Sequence, residues 1–192
     1  MAKGDIVAIQ AGNAHPEVYT DWSVDQCIEA VRKVDERIAA SLRATEQRLA
    51  AIHKEILTDP DKTVEYYLLQ RAQSQTDDLL SCDLETLSSD DQRKRVDQYH
   101  RYSALGSALL YRDTGFSGGS KFFTVTWPNF KWWPYKFNDV ASSAKAWGAN
   151  IIFEHTWYQG RRLYLIGIPY VEFRNLGDFK FNDIASSFAS IP

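Results

Sequence analysis

Two short segments of this chain carry oxygen donors in the same order. Phe137-Asn138-Asp139-Val140-Ala141-Ser142-Ser143 and Phe181-Asn182-Asp183-Ile184-Ala185-Ser186-Ser187 agree at six of seven positions, and the seventh exchanges Val for Ile. Carboxylate, amide and hydroxyl oxygens, together with backbone carbonyls freed in a loop, are the donors a hard cation takes, and calcium takes six to eight of them at flexible geometry. No Cys or His accompanies either segment, which argues against zinc. Each segment supplies about one carboxylate, so such a site has moderate affinity, on the order of 10⁻⁶ to 10⁻³ M.

Other chemistry finds little footing. His15, His53, His100 and His155 show no ligand spacing, and no nucleophile–base pair, phosphate loop or zinc pattern occurs. Asp59-Pro60-Asp61 begins like a calcium loop but lacks the glycine and terminal Glu of an EF-hand. It reads as a helix boundary, and the chain reads as a non-enzyme.

The oxygen-rich segments need elements to place them. Upstream of each lies a second shared pattern, Tyr111…Phe116-Ser-Gly118 and Phe153…Tyr158-Gln-Gly160, in which an aromatic, four residues, an aromatic, any residue and a glycine follow one another. The offset between the copies is 42 residues here and 44 in the donor segments. A repeat of this period means one supersecondary unit used twice. Gly118 and Gly160 are expected to take a positive φ in hairpin turns. β-rich runs at 107–111, 121–126, 150–154 and 162–166 predict a sandwich of two Greek keys around an aromatic core.

The duplicated hairpin signature, each time followed by Asn-Asp-x-x-Ser-Ser, resembles the βγ-crystallin Greek key, and is most similar to the microbial calcium-binding members. The resemblance covers residues 106–192, and the second unit matches better. It implies two calcium ions at the crossing of the two loops, each ion drawing on both motifs. The side-chain ligands it implies are Asp139, Ser142, Asp183 and Ser186. The backbone carbonyls it implies are those of Val140, Ile184, Arg112 and Glu154. Asn138 and Asn182 would hold the loops by local hydrogen bonds. Arg112 departs from the acidic residue usual there, which bears on the strength of one site. The same fold also hosts inhibitors and toxin-like binders, which stands as the alternative reading.

Composition sets the first half apart. Of 26 aromatic residues, 20 follow Ser103, as do all ten Phe. The expected organisation is therefore α+β by segregated domains: a helical, coiled-coil-like region over 1–102 and the β domain over 103–192. Ser23-Val24-Asp25-Gln26 forms a capping box. From Val24 to Ile56 a 4-3 spacing of apolar residues predicts a single helix through Leu57, with Asp35 and Thr45 as polar positions in its seam. Further helices are expected over about 60–81 and 89–102. Two readings of the seam stand: an intramolecular hairpin or bundle, and a homo-oligomer. Ile6–Ile9 is a short strand or an extended arm; the sequence does not decide.

The net charge of −3 gives no field for nucleic acid, and no apolar run is long enough for a transmembrane helix. Cys27 and Cys82 read as free thiols, and with no signal-like N-terminus the expectation leans towards the cytoplasm. The aromatic insertion Trp127–Tyr135 reads as core, with a protein-partner patch as its competitor.

Overall fold

The computed structural model describes residues 4–11, 17–58, 87–88, 91, 94, 106–131 and 136–192. The helices expected over 60–81 and 89–102, Cys82, and Trp132–Tyr135 lie wholly or mainly outside these residues.

Seven strands make one mixed sheet. They are β1 (Asp5–Ala11), β2 (Glu17–Trp22), β3 (Ser107–Asp113), β4 (Ser117–Phe123), β5 (Ser143–His155), β6 (Gln159–Phe173) and β7 (Ser187–Ser190). Their order is β2-β1-β6-β5-β3-β4, with β7 also paired to β5. β3–β4 and β5–β6 are the two expected hairpins, both antiparallel. Gly118 and Gly160 take φ of 78° and 76°, as the turn pattern requires. The long β5 and β6 pair from Ala144 opposite Phe173 to His155 opposite Gln159, and residues of β3 to β7 share one apolar core with the loops between them. Ala108, Leu110, Phe123, Trp127, Phe130, Phe137, Ile152, Leu165, Phe181 and Phe188 fill it. Trp127 and Phe130 of the aromatic insertion are completely buried there.

The first half is more than helical. Ile6–Ile9 belongs to a strand, β1, which runs parallel to β6 from Ile6 opposite Leu163 to Ala11 opposite Ile168. Its four consecutive apolar residues follow from burial on both faces. Ile6 and Ala8 enter the sandwich core, while Val7 and Ile9 face the helices.

Helix α1 (Val24–Arg32) starts at the expected capping box, in which Gln26 N donates to Ser23 Oγ at 3.3 Å and Ser23 N to Gln26 Oε1 at 2.9 Å. The single long helix is corrected: α1 ends at Arg32 and α2 spans Glu36–Thr58. Asp35 causes the break. Its Oδ1 accepts from the amides of Arg37 (2.8 Å) and Ile38 (3.1 Å), so it caps α2 and is not a seam position within one helix. The seam faces the sheet of its own chain: Ile28, Val31, Leu42 and Leu49 are buried against Ile151, Phe153, Tyr164 and Ile166. Cys27 is a free thiol in this layer, and burial pushes it up to about 12, so it packs as a small hydrophobe. Among the described residues no helix is long and apolar enough to cross a membrane.

Candidate metal site

Each donor segment begins just after a phenylalanine anchored in the core, Phe137 in the first unit and Phe181 in the second. Phe137 N donates to Phe130 O at 2.8 Å, and Phe181 N to Leu176 O at 2.9 Å. The chain then turns sharply. Asp139 and Asp183 adopt φ of 54° and 53°, a left-handed conformation that Asp tolerates through local hydrogen bonds.

The two segments lie against each other about an approximate two-fold relation. Asp139 N donates to Ala185 O and Asp183 N to Ala141 O, both at 3.0 Å. The side chains cross as well. Ser142 Oγ donates to Asp183 Oδ1 at 3.0 Å, and Ser186 Oγ to Asp139 Oδ1 at 2.9 Å. Asp139 Oδ2 accepts from Asn138 Nδ2, and Asp183 Oδ2 from Asn182 Nδ2 at 2.6 Å. Each asparagine amide thus meets the carboxylate of the next residue. The serines are buried, at 6% and 5% exposure, while both Asp side chains reach solvent, so each pair opens outward.

The strands behind the loops complete the picture. Ser142 N donates to Tyr111 O (2.8 Å) and Ser186 N to Phe153 O (2.9 Å), which sets each serine beside the residue that follows, Arg112 or Glu154. Register slips between Tyr111 and Asp113, and again between Phe153 and His155. Arg112 and Glu154 therefore sit at the two bulges, where a residue drops out of the ladder pairing. Val140 and Ile184 follow the turning aspartates and pack partly against the core. Six of the eight expected residues thus fall in two related lobes: Ser142 with Asp183 beside Arg112, and Ser186 with Asp139 beside Glu154.

The second serine of each motif has a role that sequence reading missed. Ser143 Oγ donates to Asp113 O at 2.6 Å and accepts from Phe116 N at 3.0 Å. Ser187 Oγ donates to His155 O at 2.7 Å and accepts from Tyr158 N at 3.2 Å. Each ties the folded-back hairpin arch to the donor loop. The available signal was the second Ser of both copies, standing 27 and 29 residues after the second aromatic of its hairpin.

The lobes differ in charge. Arg161 Nε meets Glu154 Oε2 at 3.0 Å, and the bond holds the Glu154 carboxyl below its usual range. Arg161 Nη2 also donates to Lys180 O at 3.1 Å, and its guanidinium lies 5.5 Å from the Phe181 ring centre. In the first lobe the cation over the ring is Arg112, 5.2 Å from Phe137. Gly119 stands where the repeat places Arg161.

As ligands, the paired oxygens suit a hard cation. A serine hydroxyl proton rotates freely, so Oγ can turn a lone pair outward. Among the described residues no three His, Cys, Asp or Glu side chains gather as a metal cluster. Softer metals that want nitrogen or sulfur find no ligand set here. Each lobe instead joins one carboxylate to neutral oxygens.

No family model and no curated protein matches the chain. Solved structures do. A βγ-crystallin from an archaeon is 25% identical, covering 45% of this chain and 98% of its own, with a TM-score of 0.39. The βγ-crystallin from Ciona intestinalis is 22% identical, covering 43% and 96%, with a TM-score of 0.39. Spherulin 3a from Physarum polycephalum is 26% identical, covering 44% and 82%, with a TM-score of 0.36. Each match is to a fold of the βγ-crystallin type, over somewhat less than half of this chain.

Proposed function

We propose that the chain is a non-catalytic, calcium-binding structural or interaction protein that holds two ions at its paired loops. The observation that carries this reading is the reciprocal crossing of Ser142 with Asp183 and Ser186 with Asp139, at 3.0 and 2.9 Å. The exchange brings oxygens from both repeats to each of two spots open to solvent. Ligands would be Asp139, Ser142, Asp183 and Ser186 through side chains, and Arg112, Glu154, Val140 and Ile184 through carbonyls.

Bound calcium would tie one motif to the other and so act chiefly on stability. At a hundred-fold excess over the dissociation constant, one site adds about 2.7 kcal/mol. The test is calorimetry with calcium on the whole chain, beside melting curves with calcium and with chelator. Wild type is expected to release heat at two sites and to melt higher with calcium. Ser142→Arg plus Ser186→Arg is expected to lose both responses. A wild-type melting temperature indifferent to saturating calcium would sink the proposal.

A further inference from the structure

Resting on the calcium reading, we infer that the two sites are unequal and that Arg112 makes the site of Ser142 and Asp183 the weaker one. The side-chain donors do not distinguish the lobes, since their crossing distances differ by only a tenth of an ångström. Lys136 and Lys180, at matching places two residues before the asparagines, do not distinguish them either. The difference lies at the bulges.

Beside Ser186 and Asp139 stands Glu154, whose charge is offset by Arg161. Leaving aside the matched lysines, that lobe keeps the one negative charge of Asp139. Beside Ser142 and Asp183 stands Arg112, and among the described residues no carboxylate pairs with it. On the same count that lobe is one positive charge richer than the other, because Arg112 has no Glu154-like partner to offset it. An arginine covers the core phenylalanine in both lobes, but only in the first does it come from the bulge residue itself. A divalent cation entering there meets an uncompensated guanidinium. Because Arg112 is exposed, water screens its charge nearly as in bulk, and at roughly 8 Å from its own carbonyl this repulsion lowers affinity about 3- to 10-fold, less as salt is added.

The test is calcium calorimetry at low and high salt on the full chain. It compares wild type with Arg112→Lys, Arg112→Gln, Arg112→Glu, Ser142→Ala and Ser186→Ala, with calcium-dependent melting as a second readout. Arg112 is exposed, so its variants spare the core. Wild type should show two steps. Ser142→Ala should remove the weak step and Ser186→Ala the tight one. Arg112→Gln and then Arg112→Glu should tighten the weak step by about 3- to 10-fold, less at high salt, and Arg112→Lys should leave it where it was. Equal sites, or an Arg112→Glu protein with both dissociation constants unchanged, overturn this inference and leave calcium binding standing. Absence of heat and of any melting shift in every variant overturns both.

Discussion

Ser187 illustrates how a residue that touches no metal still decides whether a site exists. Its hydroxyl, completely buried, spans His155 O and Tyr158 N and keeps the arch of the second hairpin folded over the donor loop. Replacing it by alanine leaves a buried amide and a carbonyl without their partner, a cost of about 1–3 kcal/mol. We expect Ser187→Ala to lower the denaturation midpoint in chelator by that amount while both calcium steps remain countable by calorimetry. Loss of stoichiometry with no loss of stability would reverse the assignment and make Ser187 a ligand. The donors themselves were legible in the sequence because each motif writes Asn, Asp and Ser in a fixed order, twice. Their crossing was not. Nothing in a linear pattern says that Ser142 meets Asp183, 41 residues away, and not Asp139 of its own loop. The roles of Ser143 and Ser187 were hidden for the same reason, since both partners are backbone atoms on another strand.

At the scale of the element, the break between α1 and α2 turns on Asp35. The apolar 4-3 spacing runs through residues 33–35 undisturbed, because a helix that stops and restarts within three residues can keep the same side toward the sheet. Neither Gly nor Pro marks the break. The readable signal was Asp35 itself, a polar residue on an apolar stripe. Its carboxylate takes two of the amides that open α2. Asp35→Ala should destabilise the chain by about 0.5–2 kcal/mol, and Asp35→Asn, which can still accept from those amides, by much less. Equilibrium urea melts followed by helical circular dichroism decide the matter. Equal losses in the two variants would show that the charge matters and the cap does not.

At the scale of the whole molecule, the helices and the β sandwich share a face. The aromatic-rich half, with its turn glycines, announced the sandwich. The attachment of β1 was not legible, because four apolar residues are too few to separate a strand from an arm. A buried ionic group secures that attachment. Arg162 on β6 donates from its backbone amide to Asp5 Oδ1 at 3.0 Å, and its Nε reaches Glu46 of α2, with Oε1 at 3.1 Å. Tyr164 donates to Glu46 Oε1 at 2.7 Å, and burial holds this phenol well above its usual range, so it stays a donor. Burial also raises the carboxyls of Asp5 and Glu46, against the downward pull of Arg162. A carboxyl whose pKa is higher in the folded chain than in the unfolded one binds its proton more readily when folded. Its contribution to stability is therefore full below the ordinary carboxylate range and fades as pH climbs through the raised value. Glu46→Gln fixes the neutral form. Against wild type, its stability between about pH 4 and pH 8 should vary less with pH, and its relative gain should grow toward neutrality. Arg162→Met, which strands two buried carboxylates, should cost about 3–5 kcal/mol at neutral pH and less in acid. Chemical denaturation across that range measures all three proteins. Parallel profiles for wild type and Glu46→Gln would mean that Glu46 carries no shifted proton.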